Sequence, residues 1–165
     1  MCVTTTIKPS KGSSNHWAGD RSGRCLCAEE VIRRYRGRVY GPLMDRIDLH
    51  VEVPRLDLRD DAPLGEDSAS VRARVVAARE VQLVRSGKAN AQLLPFELSE
   101  HCRLAREDQQ LLEDAVEQLQ LSARSMHRIL RVARTVADLG HAEEINTPHV
   151  AEAIGYRQLD RGGSG

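Results

Sequence analysis

The run LSARSMHRILRVARTVADL, residues 121–139, constrains this chain most. At about 100° per residue, Ala123, Met126, Ile129, Leu130, Ala133, Val136 and Ala137 fall mostly on one broad face. Arg124, Arg128, Arg131 and Arg134 gather on the opposite face. Ser122 supplies an N-cap hydroxyl and Gly140 a stop. A helix of this kind must bury its apolar face against other elements, so the sequence around it should supply them.

It does, and mostly as further helices. Residues 68–86 are a long helix, with Val71, Val75, Ala78 and Val81 or Gln82 near helical spacing and Gly87 as its C-cap. After a loop over 88–97, short helices are expected over 97–104 and 107–118, the second turning Leu111, Leu112, Ala115, Val116 and Leu119 inward. Thr147 reads as an N-cap and Pro148 as the first residue of a last helix through about Tyr156. Aromatic residues make up only 3% of the chain, so the core must be built from Leu, Val, Ile and Ala. The fold class is mainly α.

The first third reads differently. Residues 1–23 are polar and aperiodic, a disordered lead. Residues 28–36 form a short helix candidate with Glu29 and Glu30 in its first turn. Gly41-Pro42 opens a helical turn through Asp45 or Arg46. Residues 47–53, IDLHVEV, alternate with period two and read as a half-buried strand stopped by Pro54. One strand cannot pair with itself, so its ladder partners are expected from elsewhere. Residues 57–67 are acidic, carry Pro63 and Gly65, and read as a linker; residues 162–165 are a flexible tail.

Charge and cysteine content exclude several classes. The 24 basic and 24 acidic residues give a formal net charge of zero, which does not suit a globally basic nucleic-acid binder. No apolar run approaches the roughly 20 residues needed to span a bilayer, and residues 1–23 lack the apolar stretch of a signal peptide. Cys2, Cys25, Cys27 and Cys102 are too sparse for a disulfide framework. These features predict a cytoplasmic protein with reduced thiols and no membrane partner. Cys102 reads as an ordinary buried thiol, and His50 and His127 as structural.

The segment RYRGRVYGPLMDRIDLHVEVP, residues 34–54, is the most specific motif. By spacing alone, Arg46 either sits on a rigid shoulder at a sheet edge or pairs with Asp45 or Asp48. The whole segment resembles R-Y-x-x-R-x-S-G-P-L-L-D-R-I-D-L-x-V-E-V-P of the ComM/YifB-type magnesium-chelatase-like AAA+ ATPases. It departs from that pattern at Tyr40, where the family has Ser. The resemblance continues through Arg24-Cys25-Leu26-Cys27, through residues 119–139, and through the closing H-V-A-E-A-I-x-Y-R. It covers about residues 24–161; residues 1–22 carry no segment like the family's.

That resemblance implies a fold of two parts. Residues 24–56 would be a remnant of the α/β core edge with one strand, and residues 68–161 the helical lid domain. It implies that Arg46 is an arginine finger acting on a neighbouring subunit. It implies that Arg124 sits at the sensor-2 position, where it reaches the ATP phosphates of its own chain. In the family a preceding C-P-C-G pair completes a four-cysteine zinc set with Cys25 and Cys27; that pair is missing here, so no metal site is expected.

The sequence has no G-x-x-x-x-G-K-[ST] loop and no apolar strand ending in acidic residues for Mg²⁺. The expectation is therefore a fragment, inactive as an ATPase alone. ATP and Mg²⁺ would serve the complete parent, a hexameric ATP-driven DNA motor in branch migration and natural transformation. Its partners would be the AAA+ core, neighbouring subunits and DNA. Two other readings stand beside it: a free-standing helical DNA- or protein-binding module using the arginine face around Arg128, and a fragment of a metal-chelatase ATPase subunit.

Overall fold

Asp67 begins the helical part by capping it: its Oδ1 accepts from the backbone of Ala69 at 2.8 Å and of Ser70 at 3.0 Å. The computed structural model describes Glu30, residues 46–51 and residues 65–157. Among these it holds five α-helices and a 3-10 turn: α1 (Ser68–Ser86), the turn (Asn90–Gln92), α2 (Pro95–His101), α3 (Arg106–Gln118), α4 (Ala123–Leu139) and α5 (Thr147–Gly155). The mainly α class is observed.

Local signals set most helix ends. Gly87 has φ 71° and donates to the Leu83 carbonyl at 2.9 Å. A Cβ there would meet nothing within 4 Å, so the glycine serves the left-handed backbone rather than a close approach. Ser122 Oγ accepts from the Ser125 backbone at 3.2 Å and opens α4. At the other end of α4 the left-handed residue is His141 (φ 57°), one beyond the Gly140 cap, and Ala142 N–H closes onto the Ala137 carbonyl at 2.9 Å.

Two boundaries differ from the sequence reading. The helix expected over 97–104 occupies Pro95–His101. Pro95 fits the first turn, where a missing N–H costs nothing, and Glu97 reaches back to accept from the Leu94 backbone at 2.6 Å. Helix α5 is capped by Asn146, not Thr147. The Thr147 hydroxyl instead donates to Asp108 Oδ1 at 2.6 Å, tying the start of α5 to the start of α3.

Helix α4 is the central element: α1, the 3-10 turn, α2 and α5 all pack on it, and α3 packs on α5. The core joins Leu93, Leu98, Leu112, Ile129, Ala133, Ala137, Ile145, Val150 and Ala153. Each fully buried Leu, Ile or Val contributes roughly 1.5–3 kcal/mol of apolar transfer.

Helix α1 meets this core on a different face from the one its valines suggest. Ala78 and Gln82 are buried, while Val75, Val81 and Val84 are exposed. Polar anchors set the rotation. Gln82 Oε1 accepts from the Asn90 backbone at 3.2 Å, and Arg85 pairs with Asp138 of α4.

The strand expected over 47–53 is not seen: residues 47–51 form no strand, and residues 52 and 53 lie outside the described residues. The segment docks on the helices by its polar side. His50 is 8% exposed, whereas Leu49 and Val51 are 47% and 63% exposed. A strand needs a ladder partner along its backbone edge, and no described residue is in a strand that could supply one. Of the helix expected over 28–36, only Glu30 is described, as helical. The lead, Cys2, Cys25, Cys27, the Pro42 turn, most of the linker and the tail lie outside the described residues. No described helix is long and apolar enough to cross a membrane.

Candidate functional site

Arg124 is the second residue of α4, two positions beyond the Ser122 cap. It is exposed, and no ion pair or hydrogen bond engages its guanidinium among the described residues. A cation in the first turn works against the helix dipole by roughly 0.3–1 kcal/mol, a cost that a bound anion would reverse.

The other three arginines of α4 do not form the solvated basic stripe that the spacing suggests. Arg128 Nε lies 3.1 Å from Asp48 Oδ1. Arg131 donates through Nε and Nη2 to the Leu93 carbonyl at 3.0 and 2.7 Å. Arg134 is buried; it donates to Asp138 and to the carbonyls of Ala142 and Glu143 at 2.7 and 2.8 Å. Burial pulls its pKa down and Asp138 opposes the shift. These guanidinia stitch α4 to the chain around it.

Arg46 is likewise exposed, with no partner for its guanidinium among the described residues. Neither of the pairings with Asp45 or Asp48 is available to it as a described contact: Asp45 lies outside the described residues, and Asp48 turns to Arg128. The backbone just after Arg46 is held firmly. The Ile47 carbonyl accepts from Arg157 Nη1, and His50 N–H donates to the Tyr156 carbonyl at 2.9 Å. Arg157, only 1% exposed, also donates through Nη2 to Ser125 Oγ at 3.2 Å.

One guanidinium therefore touches the residue after Arg46 and the residue after Arg124. The structure brings both sequence-predicted arginines to the N-terminal end of α4. Sequence reasoning missed Arg157, Asp48 and Ser125 as parts of this arrangement. Its one available signal was Arg157 closing the H-V-A-E-A-I-x-Y-R motif.

Two permanently charged, planar guanidinia without carboxylate partners among the described residues have the chemistry to meet phosphate oxygens. The sequence has no glycine-rich loop of the kind that cradles a nucleotide's phosphates. Among the described residues no group of three or more His, Cys, Asp or Glu could hold a metal ion, and Cys102 is buried and free.

Comparison with known proteins adds a family. The profile for the C-terminal part of magnesium chelatase subunit ChlI matches residues 65–157, and the profile for magnesium chelatase subunit ChlI matches residues 3–60. The second match extends into residues 3–23, where the sequence by itself shows no segment like the family's, and so corrects that expectation. The competence protein ComM of Haemophilus influenzae is 47% identical over 162 residues, covering 96% of this chain and 31% of the relative. The YifB proteins of Salmonella typhimurium and Escherichia coli are each 40% identical, over 90% and 96% of this chain. The chain spans about a third of the length of these relatives, 29–31%.

Proposed function

This chain belongs to the magnesium chelatase ChlI-like family, in its ComM/YifB branch, and from that membership we propose that it forms the lid and arginine-bearing edge of an AAA+ ATPase. The phosphate-cradling half of that ATPase is not among these 165 residues. In the assembled enzyme, a ring of subunits moving DNA at the expense of ATP, Arg46 reaches the nucleotide of a neighbouring subunit. Arg124 reaches the nucleotide of its own. The nucleotide with Mg²⁺ supplies the phosphoryl group that is hydrolysed. The chain's own contribution is two positioned charges that stabilise negative charge developing on the phosphate oxygens.

The observation that carries this reading is the pair of exposed guanidinia at one end of the bundle, each one residue before a position held by Arg157. The outward apolar side of Leu49 and Val51 supports it as well, because that surface suits the missing sheet. A free-standing DNA-binding module is less favoured. Its basic face depends on Arg128, Arg131 and Arg134, which are occupied within the chain.

Calorimetric titration of the 165-residue chain with MgATP tests the proposal. Two arginines without a phosphate cradle should give no tight binding. Micromolar, Mg²⁺-dependent affinity would show that the chain contains a nucleotide site of its own and overturn the assignment.

A further inference from the structure

We propose that Arg157 is a positioning residue that locks the Arg46 segment to the helical lid, so that the two phosphate-facing arginines move as one body. The inference rests on the assignment of Arg46 and Arg124 given above, and its structural half stands independently of that assignment.

Four contacts carry it. Arg157 Nη1 donates to the Ile47 carbonyl, and Arg157 Nη2 to Ser125 Oγ at 3.2 Å. The His50 backbone donates to the Tyr156 carbonyl at 2.9 Å. Arg128 Nε pairs with Asp48 Oδ1 at 3.1 Å. Residues 47, 48 and 50 are thus held by the first half of α4 and by the residues that end α5. Three of the four contacts involve a guanidinium. Arg157 is buried, where a charged hydrogen bond is worth more than at the surface and its loss more costly.

The consequence is mechanical. Because Arg157 grips the residues next to Arg124 and next to Arg46, the helical unit and the Arg46 segment are carried together, and a displacement of one on nucleotide binding displaces the other. The nucleotide state of one subunit is thereby passed to the hydrolysis site of the next.

The first experiment uses the chain itself and no nucleotide. Amide hydrogen exchange should show His50 protected in the wild type. Arg157→Gln should speed its exchange at least about tenfold while the amides of Ile129 and Ala133 in α4 hold their protection. Unprotected His50 in the wild type, or unchanged protection in Arg157→Gln, overturns the lock. Should Arg157→Gln lose its helical circular dichroism, the double variant Asp48→Asn, Ser125→Ala replaces it. Faster exchange at His50 with intact helices supports the lock; unchanged exchange overturns it.

The second experiment uses a full-length relative such as the Haemophilus influenzae ComM, substituted at the position matching Arg157. The expected result is a fall in kcat on the order of tenfold to a hundredfold, the cost of a misplaced group. The KM for ATP should stay near wild type and the Hill coefficient should fall toward one. Lys at the same position should restore part of the rate. Unchanged kcat and cooperativity overturn the coupling. Failure of the arginine-finger assignment is separable, because it appears as wild-type hydrolysis after replacing the residue matching Arg46 with this lock intact.

Discussion

Arg134 and Asp138, one turn apart on α4, form an ion pair sealed from water: Nε lies 3.1 Å from Oδ1, and the side chains are 5% and 0% exposed. The same carboxylate takes Asn90 Nδ2 at 2.8 Å and Arg85 of α1. Asp138 is therefore the point where α1, the 3-10 turn and α4 are fastened together. Removing it strands a buried guanidinium. Asp138→Ala should destabilise the chain by about 3–5 kcal/mol. Urea unfolding should show a lower midpoint with an unchanged slope. A loss below 1 kcal/mol would show that water or the Ala142 and Glu143 carbonyls satisfy Arg134 without it.

The orientation of α1 gives a second prediction. Val84 is 89% exposed and Leu112 is fully buried. Val84→Ser should change stability by no more than about 0.5 kcal/mol. Leu112→Ala leaves a cavity and should cost about 2–5 kcal/mol. Thermal unfolding of the two variants side by side separates them. A large loss in Val84→Ser would mean that α1 buries its valine face after all.

Burial pushes the Cys102 thiol up from its ordinary 9.0 to about 11. Below pH 9 both folded and unfolded forms keep the proton, so the contribution to stability is constant. Between pH 9 and about 11 the unfolded thiol ionises while the folded one does not, so stability falls as pH rises through that window. Urea midpoints measured across it should decline in the wild type more than in Cys102→Ala. Within the folded chain Cys102 should also resist alkylation at neutral pH and react once unfolded, as peptide mapping of the labelled thiols would read. Rapid labelling of Cys102 in the folded chain would contradict the burial.

In a complete relative, Arg46→Ala at the matching position should lower kcat by about 10³–10⁵ while sparing nucleotide binding, the signature of an arginine finger. Mixing that variant with subunits disabled in their phosphate loop should restore part of the activity, because an intact finger then serves an intact pocket. Arg124→Ala at its matching position should not be rescued by the same mixing, since pocket and lid then fail in different subunits. Equal rescue of both would place the two arginines on the wrong sides of the interface.

The helices were legible because their determinants are local. Asp67, Gly87 and Ser122 act within four residues of themselves, and α1 and α4 start and stop where those residues say. Errors arose where two local signals competed. Glu97 has the chemistry of a helix start but is the third residue of a helix opened by Pro95, and Thr147 has the chemistry of a cap but its hydroxyl donates to Asp108. The alternation over 47–53 suggests a half-buried strand, but residues 47–51 form none, and His50 rather than Leu49 or Val51 is the residue buried.

The candidate site divides along the same line. Residue type and motif singled out Arg46 and Arg124, and family comparison supports the motif. By itself the sequence determined a mainly helical chain, the caps at Gly87 and Ser122, and the arginines worth testing, because hydrogen bonds within a helix join residues four apart. Only the tertiary structure decided which arginines stay available. Arg157 meets Ile47 across 110 positions, Arg85 meets Asp138 across 53, and Arg131 meets Leu93 across 38. Such pairings depend on how helices cross, and a buried charge must find its partner wherever the packing happens to bring one.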